Sequence, residues 1–494
     1  MPRHAPSRPG PPSPRKGAQP PRQAAAPRPA PPGGRPIDAD VVAWAEGLDV
    51  VARAGTQPWY LQGALPGERV RILPEEGGRA HRAVLDRVVR ASPDRVAPPC
   101  PHAASCSGCD LQHTRPAYQA RFKLHLAQAA LRTLTGGNDA LLRPTLSPES
   151  PEGQRTKIGY RVAGAGPTLK LGLFAAHTRD VAGIDACIAH DAAGERLARA
   201  VLDAARGAGV EAFDERRRSG WLRSVVVRVA QGTRQAMVTL VVTSERTEWL
   251  SPMVTAAMAA GAHSVAVSVH RGDARSVSGA RARVVAGAPD LVAQVGGLRY
   301  AVSPGAFFQT SHFGAEALLS VVREAAAEVA AGPDAGVAWD LYGGAGFFAT
   351  ALAADGWRCT VVEESADAIA DARATQRRWP TGSIETFVGR VAGALRPSGA
   401  LDRRHCDLAV LDPPRSGCEP EVVERLARQA TPRRIILVSC DLAAAARDGA
   451  DLLAAGYRLT RAIPIDMFPW TRHLELVSVF DAPATLLAGR RRRP

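Results

Sequence analysis

No apolar run among these 494 residues reaches the length of a bilayer span, so no membrane partner is expected. The N-terminus is rich in Arg and Pro and lacks an apolar h-region, so it does not read as a secretory signal. A disulfide framework is missing too: eight cysteines lie at uneven spacing along a long chain. That usage fits a reducing cytoplasm in which thiols serve metal binding or catalysis. Internal repeats are absent. Residues 1–36 contain no acid and almost no large apolar side chain, yet they hold 13 of the 39 prolines and seven basic residues. They read as a disordered basic tail, and residues 486–494, with Arg490 to Arg493, as a second one. Eleven of the +14 formal charges sit in these two ends, which leaves +3 for the remainder. Flexible basic arms attract polyanions; the plainer reading is a solvated tail.

What remains is long enough for two to four domains and, at 46% hydrophobic residues, can build real cores. Five short β-like pieces between Val41 and Val89, separated by turns such as Leu65-Pro-Gly-Glu68, suggest a small OB-like barrel over 37–95. A helix is expected from Pro116 to about Thr135. Alternating strands and helices up to residue 300 indicate an α/β domain over 96–300. From about Phe307 a helix (Ala315 to Ala331) leads into strands at Val337, Cys359, Asp407 and Ile435, interleaved with helices. That order predicts a doubly wound, Rossmann-like parallel sheet over 301–485, with ligands at the carboxyl ends of its strands.

Three motifs lie at those strand ends. Asp340-Leu-Tyr-Gly-Gly-Ala-Gly346 follows one strand and precedes the apolar helix Phe347 to Ala354. Glycines there let a backbone approach a ligand closely. Glu363 ends the next strand, placed to accept hydrogen bonds from both hydroxyls of a ribose, although capping a strand end would explain it as well. No full G-x-G-x-x-G is present, which argues against a dinucleotide; the spacing suits S-adenosylmethionine. Asp412-Pro-Pro-Arg415 ends the third strand, and its two prolines fix an extended exit that aims Asp412 into the crevice. It is not the Asn-Pro-Pro-Tyr expected for methylation of an exocyclic nitrogen.

The apolar run Arg434 to Ser439 ends in Cys440, and His473-Leu-Glu475 lies downstream. A thiol together with a carboxylate suits methylation of uracil at C5. That carbon is a poor nucleophile until a thiolate adds at C6, and the C5 proton must then be removed before the thiol can leave. Arg415 or Arg447 could lower the thiol pKa or bind phosphate. An inert buried cysteine is the alternative for Cys440 taken alone.

Asp340-Leu-Tyr-Gly-Gly-Ala-Gly346, Leu411-Asp-Pro-Pro-Arg-Ser-Gly417, Val438-Ser-Cys-Asp441 and Asp466-Met-Phe-Pro-Trp-Thr-Arg-His-Leu-Glu475, with Ala306-Phe-Phe-Gln309 and Leu65-Pro-Gly-Glu68, resemble those of the RNA 5-methyluridine (uracil-C5) methyltransferases across about residues 40–480. The resemblance implies Cys440 as nucleophile, Glu475 as base, Gln309, Tyr342, Glu363 and Asp412 around S-adenosylmethionine, and a TRAM domain for the N-terminal barrel. Three positions depart from the family. Gly343 stands where cysteine is usual, Asp441-Leu442 replaces Asn-Pro after the nucleophile, and Arg390 replaces an acidic or amide contact to adenine. An unpaired Asp441 would raise the pKa of the neighbouring thiol. Cytosine-5 methyltransferases would need a cysteine directly after the Pro-Pro turn, where Arg415 stands.

Cys100, Cys106 and Cys109 form one tight group, and Cys187 stands alone 78 residues beyond it. Spacing leaves zinc and iron–sulfur open, with His102 or His113 as alternative fourth ligands; His177, like these two, otherwise reads as a surface or capping residue. The resemblance implies a [4Fe–4S] cluster on the four cysteines. The expected partner is RNA, 23S ribosomal RNA first and the T-loop uridine of transfer RNA second, bound by a monomer. A decayed, purely RNA-binding relative is the non-enzymatic alternative; it predicts loss of Cys440 or Glu475, and both are present.

Overall fold

The computed structural model describes residues 35–75, 81–176, 178–270, 282–330 and 336–490; most of the two expected basic tails and His177 lie outside them. Strands β1 (Ile37–Trp44), β2 (Val50–Ala54), β3 (Gln57–Leu61), β4 (Arg69–Pro74) and β5 (Ala83–Arg90) form a sheet in the order β3-β2-β1-β4-β5. The sheet curls until its edges meet: Tyr60 donates its backbone N–H to His81 O at 2.8 Å and bridges to Arg82. Ala39, Val41, Ala52, Val70 and Ile72 fill the interior as the inward half of alternating strands. Glu68, 1% exposed, fastens the barrel to the segment after β5 by accepting from the backbone of Leu65 and Ser92 and from Arg95.

Helix α1 (Pro116–Thr135) starts with Pro at its first position and stops at Gly136, whose φ of 59° is the left-handed cap. Then come β6 (Lys157–Ala163), β7 (Lys170–Phe174), β8 (Val181–Gly183), α2 (Ala192–Gly207), β9 (Leu222–Val229), β10 (Ala236–Val242), α3 (Thr247–Ala259), β11 (Ser264–Val269) and β12 (Arg283–Gly287). They build a sheet ordered β12-β11-β10-β9-β6-β7-β8. The hairpin β13 (Leu291–Val295) and β14 (Leu298–Val302) turns on Gly296 and Gly297, both at positive φ as a two-residue turn demands.

The last unit comprises α4 (His312–Ala327), β15 (Gly336–Leu341), α5 (Phe347–Ala354), β16 (Trp357–Glu363), α6 (Ala366–Arg378), β17 (Ile384–Val388), α7 (Val391–Ala394), β18 (Leu408–Leu411), α8 (Pro420–Arg425), β19 (Arg434–Ser439), α9 (Leu442–Ala454), β20 (Arg458–Ile465), β21 (Glu475–Asp481) and α10 (Ala484–Arg490). Its sheet runs β17-β16-β15-β18-β19-β21-β20. The first five strands are parallel, as the alternating pattern predicts, and apolar clusters cover both faces. The sheet is not wholly parallel: β21 pairs antiparallel with both β19 and β20. The reason is a short return: only residues 466–474 join β20 to β21, too few for the crossover a parallel neighbour needs. The helix expected from Ala315 begins at His312 instead, because Ser311 caps it by accepting from Gly314 N–H at 3.0 Å.

Helix α1 docks on this last unit through Lys123, fully buried, which pairs with Asp466 and donates to Phe468 O at 3.0 Å. Removing one partner of such a pair strands the other charge. Lys123→Met should therefore destabilise the protein by about 3–5 kcal/mol, seen as a lower urea midpoint. Adding Asp466→Leu should recover a large part of that loss.

Candidate active site

At the carboxyl edge of the parallel strands, β15 runs out at Leu341 into a tight loop. Tyr342, Gly344 and Gly346 all have positive φ there, and α5 begins at once. The loop is pinned from two sides. Asp340 Oδ2 accepts from Ala349 N–H in the first turn of α5 at 2.9 Å. Glu363, at the end of β16, accepts from Gly344 N–H at 3.2 Å and from Ser365 N–H at 2.8 Å. Glu363 thus ties the glycine loop to the neighbouring strand end, and each of its oxygens keeps a further lone pair for a ligand hydroxyl. A Cβ at Gly343 would lie 2.8 Å from both Asp340 Cγ and Val361 Cγ1, so here the loop closes onto space that a side chain would need.

The other predicted positions border the same edge. Phe308 meets Phe347, the first residue of α5, with ring centroids 5.5 Å apart, and the buried Gln309 follows it, its backbone O accepting from Gln231 Nε2 at 2.6 Å. The Tyr342 hydroxyl donates to Glu419, whose other oxygen accepts from Arg390 Nε at 3.2 Å. Arg390 is therefore engaged by a carboxylate. Asp412 leaves β18 beside the glycine loop, its N–H donating to Leu341 O at 3.2 Å. Burial, reinforced by the charge of Glu363, pushes its carboxyl up to about 7.

Cys440 and Glu475 meet because of the antiparallel strand. Ser439 pairs with Leu476 across β19 and β21, so the residue after one and the residue before the other share the rim. Burial and the nearby Glu475 push the Cys440 thiol up to about 11, Arg415 opposing them. Burial and Asp412 raise the Glu475 carboxyl well above the usual carboxylate range, again against Arg415. Glu475 Oε2 and Asp340 Oδ1 are buried without a hydrogen-bond partner, and unpartnered buried oxygens at a cleft point to a ligand. Asp441 does not face the thiol as a free charge. It caps α9 by accepting from Ala444 N–H at 2.9 Å, where the helix N-terminus absorbs its charge. Asp340 and Arg415 belong to this site as well. Sequence reasoning gives Asp340 no role of its own, although its position at the head of the glycine motif is a usable signal.

The four remaining predicted residues form a separate place. Cys100, Cys106, Cys109 and Cys187 line one small pocket of about 20 Å³ together with His102, Gln112 and Arg155. Burial raises the thiols of Cys106, Cys109 and Cys187, the last to about 11. Among the described residues, however, no three His, Cys, Asp or Glu side chains are gathered closely enough to hold a metal ion. His102 accepts from the Asp185 backbone N–H at 3.2 Å, and His113 is half-buried, its pKa depressed to about 4 by desolvation and the charge of Arg95. A far larger concavity, about 1160 Å³, lies against β6 and β7 and is lined by Arg161, Lys170, Arg179 and Arg223; none of the predicted site residues lines it. Among the described residues no helix is long and apolar enough to cross a membrane.

Asp412 provides a check on the crevice electrostatics. Its carboxyl holds a proton more tightly in the folded chain, near 7 against an unfolded value of 3.8, so its cost to stability grows as pH rises between those values. Asp412→Asn should melt like the parent at about pH 4 and gain a margin of up to a few kcal/mol by about pH 7, constant above that, in thermal scans.

Other proteins resemble this one in sequence and fold. A family model described as tRNA (Uracil-5-)-methyltransferase matches residues 394–481. An uncharacterized RNA methyltransferase of Gloeobacter violaceus is 30% identical over 468 residues, covering 92% of this chain and 99% of its own. One from Halalkalibacterium halodurans is 30% identical over 424 residues, with coverages of 84% and 90%. The crystal structure of Pyrococcus abyssi tRNA (uracil-54, C5)-methyltransferase in complex with S-adenosyl-L-homocysteine superposes with a TM-score of 0.69 at 24% identity. The match covers 90% of this chain and 99% of that one, and establishes the shared fold. The glycine loop, the thiol beside a carboxylate and these relatives lead to one conclusion: the chain belongs to the RNA uracil-5 methyltransferase family.

Proposed function

We propose that this protein methylates C5 of a uracil in RNA through a covalent bond between Cys440 and C6. The observation that carries the reading is the juxtaposition of Cys440 and Glu475 at the rim of the sheet, beside the glycine loop. S-adenosylmethionine, when bound, supplies an electrophilic methyl group to C5. Asp340, Tyr342, Glu363, Asp412 and Gln309 are the residues to hold it; the unpartnered Asp340 oxygen and the free lone pairs of Glu363 fit such a ligand.

The mutual repulsion between thiolate and carboxylate implies that the pair carries one negative charge at a time. Cys440 reacts as thiolate while Glu475 is protonated: sulfur bonds to C6, and the C5–C6 π electrons make C5 the nucleophile. Once sulfur is a neutral thioether, its charge no longer opposes ionisation of Glu475, which gives its proton to solvent. The carboxylate then takes the C5 proton. The C5–H electrons restore the double bond, and the C6–S bond breaks to return thiolate. One proton leaves per turnover, matching the positive charge lost from the donor. Thiol addition at C6 requires the ring free of its stack, so the target base is flipped into the crevice, with the N-terminal TRAM-like barrel and the basic tails gripping the RNA.

The cysteine pocket is lined by four thiols and Arg155, and four thiolates are the donor set that a [4Fe–4S] cluster would use, although here they are not drawn together around a metal position. That pattern, through the family resemblance, favours 23S ribosomal RNA as substrate. Transfer RNA is the second reading, favoured by the family description and by the activity named for the Pyrococcus protein.

Cys440→Ala should abolish 5-methyluridine formation while leaving RNA affinity close to wild type; persistent methylation would disprove the covalent route. Glu475→Gln should accumulate a protein–RNA adduct stable to denaturation. Nucleoside mass spectrometry of ribosomal and transfer RNA from a deletion strain should show which RNA loses 5-methyluridine. Visible absorbance in anaerobically purified protein, lost in a variant with Cys106 and Cys109 changed to Ser, should report the cluster; a colourless protein containing zinc would exclude it.

A further inference from the structure

Glu475 opens β21, so its placement depends on residues 466–474, which lead into it. That loop is held from far along the chain. Trp470 O accepts from two consecutive backbone N–H groups, those of Asp110 and Leu111, both at 2.8 Å. The Trp470 N–H donates to Gln119 Oε1 at 2.8 Å, and the Arg472 N–H to Asp110 Oδ2 at 3.3 Å. Gln119, 2% exposed, meanwhile donates to Leu111 O at 3.4 Å and Thr114 O at 3.1 Å, which locks the segment and the loop into one unit. Asp110 directly follows Cys109. Arg155 makes a second link from the thiol pocket, donating to Gly108 O at 3.0 Å with its guanidinium 5.7 Å from the Phe468 ring centroid. Trp470 sits at φ 63°, a left-handed conformation that a bulky residue keeps only where its surroundings over-determine it.

We propose that Gln119 and Asp110 are positioning residues for Glu475, and that the segment leaving the thiol pocket is the template against which the base is set. The inference rests on the reading of Glu475 as the C5 base. Cys440 directly follows β19, which lies between β18 and β21. Glu475 pairs with Ile465 in the β20–β21 ladder but is the first residue of β21, directly after the loop that the 106–119 segment holds. A disturbance of the 106–119 segment therefore reaches the base and spares the nucleophile. It should divide the reaction: thiol addition and methyl transfer continue, whereas removal of the C5 proton slows.

The test uses the full-length protein, a uridine-containing RNA substrate and S-adenosylmethionine labelled in its methyl group. Two products are followed, methylated RNA released and label retained in a protein–RNA adduct that survives denaturation. Asp110→Ala and Gln119→Leu should slow release by about tenfold to a hundredfold with label accumulating in the adduct, the scale expected when a reacting group is misplaced by an ångström. Asp110→Asn, which keeps an acceptor for the Arg472 N–H, should restore release. Should Gln119→Leu fail to fold, the two Asp110 variants carry the comparison. Release at the wild-type rate in Asp110→Ala, or slow release without labelled adduct while Glu475→Gln does trap it, overturns the positioning role. If Glu475→Gln itself traps nothing, the assignment of the base fails, and the inference with it.

Discussion

The ladder between β19 and β21 is the constraint on which the site depends. In a sheet of parallel strands every carboxyl end lies on one rim and every amino end on the other. Two groups at opposite ends of their strands could not meet there. Reversing one strand removes that restriction: the start of β21 arrives where β19 finishes, and Glu475 stands beside Cys440 without any excursion of either backbone. The hairpin that makes this possible also buries Leu476, Val477 and Val479 among the apolar layers of the sheet, so the chemistry rests on the part of the fold least able to shift.

Around that rim the protein concentrates acids in a poorly solvated crevice. Asp340 and Glu363 lie within electrostatic reach of Asp412, and Asp412 of Glu475; Asp340, Asp412 and Glu475 are all raised by burial. Arg415 is the cation that favours the ionised forms of both Cys440 and Glu475 against burial and their acidic neighbours. The crevice is thus electrostatically strained towards neutrality, a state well suited to receive a cationic sulfonium. Asp441 shows how such a crowd tolerates another carboxylate next to Cys440: its charge is spent on the N-terminus of α9.

Much of this is legible in the residues. The glycine motif, the acid ending the next strand and the Pro-Pro exit each have a local cause, and local causes survive the passage from sequence to structure. Helix α1 is bounded by its Pro and Gly signals, and the five strands of the barrel by their turns. Sequence falls short where the cause is distant. The reversal of β21 depends on which strand it pairs with, and no window of sequence contains that. The role of Asp441 can be posed from its place beside the thiol, yet the answer needs the direction of a side chain. Gln119 and Asp110 carry no motif at all; their importance appears only when residues some 350 positions apart are seen to touch.

Those long contacts bear on how the molecule comes into being. The hydrogen bond from Trp470 to Gln119 spans 351 residues, and the Lys123 pair with Asp466 spans 343. As the chain leaves the ribosome, α1 appears early, with a buried lysine that has no counter-charge until nearly the whole polypeptide has emerged. The loop that leads into Glu475, for its part, is among the last segments made, and it settles against residues made long before it. The surroundings of Glu475 are therefore complete only when the early 110–123 segment and the late 466–472 loop are in contact. By the proposed mechanism, a chain that gripped cofactor and RNA before that contact would add sulfur to C6 and then hold the RNA for want of a settled Glu475. The late contact thus governs release as well as assembly.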